Sequence, residues 1–355
     1  MADPNNRYNL TAARAHGRPG REVRPKSLTV DIHAHVLIPA AAEFVRPHLQ
    51  PDPRAAAYAE ETRILTRKQD EDRTPNLTDM PLRLRDFDAM GIDAQVISPA
   101  PPQCYYSIPP DLAVEAARMV NEGIAAIVSS NRGRIPAGMG SVPLQAGGDV
   151  AAAELEYAMT RLDLKGCEVL AHVGERELSD PDFEPFWAKA EALGAVVFIH
   201  PHGFTEPRRF GRFYFSNVIG NPLDTTMALH YLVFDGVLER YPNLKIIASH
   251  GGGYLPAYSG RMDHAWGARS DAHGRLPQPP STYLKKIYLD TIVFTPHQLE
   301  ALVKLFGAGK IVLGTDYPYD MGEYDPIAHI AAVASLSAED RAAIAGGNAR
   351  VLFGL

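Results

Sequence analysis

Five side chains able to hold or assist a metal ion stand at the ends of short apolar runs in this chain. His33 and His35 follow the run 28–32, His200 ends 196–200, His250 ends 246–250 and Asp316 ends 311–316. Two imidazoles at i and i+2 point to the same face of a strand, because side chains alternate with period two. Such a pair offers two neutral nitrogen donors to one cation. A lone His-x-His is common by chance, and a lone histidine is more often a cap or a core residue. Recurrence of metal-type residues at three later run ends makes the pattern specific. Three imidazoles and a carboxylate suit Zn²⁺, with Mn²⁺, Fe²⁺ or Co²⁺ allowed by ligand type. The expected ligands are His33, His35, His200 and Asp316, holding one ion per chain with water completing the site. His250 is expected just outside, facing that water or a substrate. A divalent ion of this kind lowers the pKa of bound water to roughly 7 in the best cases, which opens hydrolysis, hydration and proton transfer to carbon.

These residues need a scaffold that brings distant run ends together. Apolar runs at 28–36, 94–100, 134–142, 167–173, 195–201, 244–251, 286–292 and 310–318 read as strands. Helix-like stretches lie between them, at 81–91, 111–131, 146–162, 181–193, 222–241, 254–270, 296–306 and 326–345. Several of these carry a proline near the start, where its missing N–H costs nothing. Eight strands alternating with helices predict a parallel sheet closed into a (β/α)8 TIM barrel, whose catalytic residues sit at the C-terminal ends of strands. A doubly wound open sheet is the rival, but no Gly-x-Gly-x-x-Gly follows the first strand.

The chain has 355 residues, is 46% hydrophobic and carries a net charge of −7. That balance gives no reason to expect nucleic acid or an anionic membrane as partner, and no apolar run approaches the ~20 residues of a membrane helix. Residues 1–27 read as a flexible polar arm without the apolar core of a secretory signal. Residues 28–355 read as the barrel domain, with 37–76, too long for an ordinary βα loop, as an insertion over its mouth. Only Cys104 and Cys167 are present, so a disulfide framework is not expected and a cytoplasmic location is the default.

The strings Asp31-Ile32-His33-Ala34-His35, His200-Pro201, His250-Gly251-Gly252-Gly253, Gly260-Arg261-Met262-Asp263-His264-Ala265-Trp266 and Leu313-Gly314-Thr315-Asp316-Tyr317-Pro318 occur in one order. The His-x-His, the later histidines and the aspartate resemble the amidohydrolase superfamily. The whole set, from about Val30 to the C-terminus, is similar to the family of 2-amino-3-carboxymuconate 6-semialdehyde decarboxylase and its relatives. Binuclear members of the superfamily use a lysine at the end of strand four. None stands at the end of the run Gly166-Cys167-Glu168-Val169-Leu170-Ala171-His172, which implies a mononuclear site.

The resemblance implies a non-oxidative, metal-dependent decarboxylase of an aromatic acid or an unsaturated ring-cleavage carboxylate, with His250 and Asp316 catalytic and no organic cofactor. It also implies a homodimer in which Arg261 and Arg269 reach substrate carboxylates across the interface, a task that suits the bidentate guanidinium fork. Where the family tends to have Trp-Asp after the strand-five His-Pro, this chain has His202-Gly203. His202 is expected as a pocket wall or a contact to a different substrate group. Arg63 and Arg67 are candidates for a substrate arginine from the insertion, and Asp290 for an acceptor that orients a ligand imidazole. The alternative is a hydrolase or hydratase of the same superfamily, acting on a lactone or an unsaturated dicarboxylic acid.

Overall fold

A computed structural model describes residues 25–50, 56–204 and 207–355. The arm expected at 1–27 lies almost entirely outside the described residues. Eight parallel strands form the barrel: β1 (Val30–Val36), β2 (Ala94–Pro99), β3 (two pieces, Ala137–Gly138 and Gly140–Ser141), β4 (Gly166–Leu170), β5 (Val196–His200), β6 (Lys245–Ala248), β7 (Tyr288–Asp290) and β8 (Ile311–Val312). Each pairs with its sequence neighbour. Closure is made by backbone bonds between the first and last strands and their extensions, Ile32 N to Leu313 O at 3.0 Å and His35 N to Tyr317 O at 2.8 Å.

The strands are buried almost throughout, as a sheet covered on both faces requires. Val30, Ile32, Val96, Met139, Phe198 and Ile247 fill the barrel interior together with Leu352 and Phe353 from the helix Asn348–Phe353. A larger apolar layer lies between strands and surrounding helices and includes Phe87, Ile124, Leu155, Trp187 and Leu232.

Proline stands in the first turn of many of the helices, including Leu255–Ala268, where Pro256 is tolerated because no intrahelical donor is needed there. Two expected helices are broken. The stretch 222–241 divides into Asn221–Phe234 and Val237–Arg240 around Gly236, whose φ is 76°. The stretch 326–345 divides because Ser337 and Asp340 form a capping box that starts a new helix at Ala338. Strand eight is also shorter than expected, since the chain leaves the ladder after Val312 to present Asp316 with a left-handed φ of 58°.

After β1 come the helix Pro39–Val45 and the long polar helix Glu60–Thr78. Ala59 N, just before the latter, donates to Gly211 O at 2.7 Å. Cys104 and Cys167 are both free and buried. No helix among the described residues is long and apolar enough to cross a membrane.

Candidate metal centre

Strand geometry brings the distant run ends to one mouth. His33 and His35 lie two apart on β1, His200 ends β5, His250 follows β6, and Asp316 follows β8. His33 and His35 point Nε2 at Asp316 Oδ1, each at 3.3 Å, and His200 Nε2 lies 3.9 Å from the same oxygen. His250 Nε2 faces the other carboxylate oxygen, Oδ2, at 3.5 Å. Ligand atoms of His33, His200, His250 and Asp316 all fall within 4.8 Å of one another and form a metal-binding site.

The outward nitrogens are already committed. His33 Nδ1 is 2.7 Å from Asp290 Oδ2, His35 Nδ1 is 2.9 Å from Pro99 O, and His200 Nδ1 is 2.7 Å from Pro201 O. Each acceptor orients its ring and leaves Nε2 to the centre, the arrangement that metal-ligating histidines use. By contrast, Nε2 of His33, His35 and His200 and Oδ1 of Asp316 are buried and have no hydrogen-bond partner. Polar atoms abandoned in this way are costly, and a divalent cation among them is what this donor set fits.

The electrostatics agree. Burial alone would raise Asp316, but His33 above all, with His250 and His35, holds its carboxyl well below the usual range. Burial opposes charge on His33, yet Asp316 and Asp290 lift it to about 10. Burial and the neighbouring imidazoles push His200 well below an ordinary histidine. A site so dominated by carboxylate and imidazole fields is built to receive positive charge.

Backbone strain concentrates at the same place. His250 and Asp316 both have left-handed φ, 54° and 58°, which non-glycine residues adopt only when the surroundings enforce it. For His250 the enforcement is visible. Asp290 accepts from His250 N at 2.9 Å and from Gly251 N at 2.8 Å while also holding His33. Gly251 has φ of 62°, and a Cβ there would meet Val293 Cγ1 at 2.5 Å. Asp31 does the stitching beneath, accepting from Gln95 Nε2 and Thr315 Oγ1, each at 2.6 Å, and from His33 N at 3.0 Å.

The centre opens into a cavity of about 1060 Å³. His200, His250 and Asp316 form part of its floor, and His202 is on its wall. One side is the helix Glu60–Thr78, through Thr62, Arg63, Thr66, Arg67, Asp70, Arg73 and Leu77. Arg63 on this wall is partly exposed and pairs with Glu60 of the same helix. Arg73, which the sequence reading missed, is the buried cation of this wall. It pairs with Asp70 at 2.6 Å and Asp320 at 3.5 Å and stacks over Tyr319 at 4.6 Å. Its signal was the helical spacing of Thr62, Thr66, Asp70, Arg73 and Leu77, obscured by the polarity of the whole segment. Arg261 and Arg269 are exposed on or next to the helix Leu255–Ala268 and do not line this cavity. That helix is anchored by Asp263, which accepts from Ser281, and by Trp266, whose indole donates to Leu276 O. Arg269 pairs with Asp271. His172 lies on the hairpin beyond β4, its Nδ1 2.9 Å from Gly174 O, away from the cluster.

The sequence profile described as Amidohydrolase matches residues 30–355. This chain belongs to the amidohydrolase family. The 2-amino-3-carboxymuconate-6-semialdehyde decarboxylase of Dictyostelium discoideum is 34% identical over 281 residues, covering 79% of this chain and 78% of its own length. Among solved structures, 5-carboxyvanillate decarboxylase from Sphingomonas paucimobilis matches with a TM-score of 0.82 and 24% identity, over 93% of this amidohydrolase and 100% of that chain. A dihydroxybenzoic acid decarboxylase from Polaromonas, solved with bound manganese, matches with a TM-score of 0.75 and 24% identity, over 93% and 97% of the two chains. At those identities the structural likeness speaks for the shared barrel.

Proposed function

We propose that this amidohydrolase is a metal-dependent, non-oxidative carboxy-lyase acting on an aromatic acid or a conjugated ring-cleavage carboxylate. The observation that carries the reading is the convergence of His33, His35, His200 and His250 on Asp316 at the floor of a cavity, in a chain 34% identical to a curated decarboxylase. We assign His33, His35, His200 and Asp316 as ligands, because their four unpartnered atoms meet at Asp316 Oδ1. Zinc is the ion the donor set favours, with manganese next, as in the Polaromonas relative. When bound, the ion supplies Lewis-acid polarisation and activation of water.

The chain's own groups do the rest. His250, more open to the cavity than the three ligand imidazoles, is free to carry a proton. It delivers that proton to the ring or alkene carbon bearing the carboxylate. The bond to the carboxylate then breaks, its electron pair restores the conjugated system, and CO₂ leaves. Asp316 Oδ2 holds the imidazole in place for delivery. Helix Glu60–Thr78 and the residues after β8, Tyr319, Asp320 and Met321, wall the cavity in which the substrate would sit. His202 contacts a substrate substituent. The catalytic unit is residues 28–355, in a homodimer in which Arg261 and Arg269 serve the partner's cavity. Two free, buried cysteines suit a cytoplasmic enzyme.

The test is metal analysis of the purified chain coupled to CO₂ release from a panel of hydroxybenzoates and muconate-type acids. About one ion per chain with release of CO₂ is expected. An ion without CO₂, but with water added to a lactone or alkene, would replace this reading with the hydrolase or hydratase alternative.

A further inference from the structure

One carboxylate of the barrel has no protein donor. Glu168 on β4 is fully buried, in register with Ser141 of β3 and Phe198 of β5. Neither of its oxygens receives a hydrogen bond. The other buried carboxylates near the centre are well served. Asp290 accepts from His33, His250, Gly251 and Ile292, and Asp31 from Gln95, Thr315 and His33. Cys104 and Cys167, whose thiols are pushed up by burial and then by Glu168, do nothing to neutralise it. Among the described residues the basic side chain within ion-pair distance is His35, whose Nδ1 is 3.5 Å from Glu168 Oε2. That nitrogen already donates to Pro99 O, so Pro99 sets the ring's orientation and the carboxylate is left to act by its charge.

We propose that Glu168 is a positioning residue for the metal centre, a buried negative charge behind the His35 ring that strengthens cation binding on its Nε2 side. The inference rests on the assignment of His35 as a ligand. Isolated buried charge is tolerated only where a compensating charge is near, and groups behind a ligand imidazole change metal affinity by roughly 10–100-fold. Asp290 does this for His33 through a hydrogen bond; Glu168 does it for His35 through its field alone. The centre is thereby backed by a carboxylate on each histidine of the His-x-His pair.

The test is calorimetric titration of the chelator-stripped full chain with Mn²⁺ and with Zn²⁺. Glu168→Gln keeps shape and removes charge, and is expected to weaken binding of both ions about ten-fold or more. Glu168→Asp keeps the charge but withdraws it, and is expected to weaken binding by less. A Gln variant that binds as wild type does would overturn the proposal and mark Glu168 as structural. Should the Gln variant not fold, Glu168→Asp alone decides, and wild-type affinity in it overturns the proposal. A wild-type chain that binds neither ion sinks the ligand assignment and this inference with it.

Discussion

Within the centre, His33, His35 and His200 each have one nitrogen committed outward and one left inward, and the division of labour follows from which oxygen of Asp316 an imidazole faces. His33, His35 and His200 face Oδ1, and His250 faces Oδ2. Substituting His33→Ala should therefore remove metal and turnover together, read by metal analysis and CO₂ release. Replacing His250 by Ala should leave most of the metal in place and lower kcat by 10²–10⁴-fold, the usual contribution of a positioned proton donor. Full activity in that variant would remove His250 from the mechanism. These residues were legible in the sequence because a metal needs specific donor types, and because a strand end is where a barrel puts them. Arg73 was not legible. Its role depends on which face of a nearly all-polar helix turns inward, and a segment with little apolar residue spacing does not reveal that. Asp290 was foreseen as an acceptor, but its bonds to His250 N and Gly251 N depend on the turn after β6 folding back onto β7, which no local pattern encodes.

At the scale of elements, the strands were legible within a few residues, since burial on both faces writes them as continuous apolar runs. Strand ends and helix breaks were less so. Val312 ends the regular ladder of β8, but the apolar run continues to Leu313 because those residues still pack inside. The turn after β6 makes a separate demand. A Cβ at Gly251 would add strain at φ 62° and a clash with Val293, so Gly251→Ala is expected to cost about 1–3 kcal/mol in denaturant unfolding. It should also impair turnover by shifting His250, while the same substitution at Gly260, inside the helix Leu255–Ala268 where a Cβ meets nothing, should raise stability by about 0.5–1 kcal/mol. Asp31 ties β1 to β2 and to the β8 loop. Asp31→Asn turns one acceptor into a donor facing Gln95 or Thr315, and a loss of about 1–3 kcal/mol is expected from the unsatisfied buried group. Unchanged stability would mean that the network can reorganise around an amide.

For the whole molecule, two expectations concern assembly and closure. If Arg261 serves the partner's cavity, co-expressed His250→Ala and Arg261→Ala chains should form mixed dimers that regain part of the activity lost by either alone. Failure to complement would confine Arg261 to its own surface. Saturating metal should raise Tm relative to chelator-treated protein, following about 2.7 kcal/mol at a hundred times Kd. The seam explains where that stabilisation acts. The bonds Ile32 N to Leu313 O, His35 N to Tyr317 O and Asp316 N to His33 O all lie where the first and last strands meet, and the proposed ligands His33 and Asp316 flank the same line. An ion held there joins two points of the chain separated by nearly its whole length, and a clip across so long a loop removes the most freedom from the unfolded ensemble. Hydrogen exchange would show it directly. Stripped of metal, the amides of Ile32, His35 and Asp316 should lose protection before those in the middle of β5, so that the barrel opens along the line where it was closed.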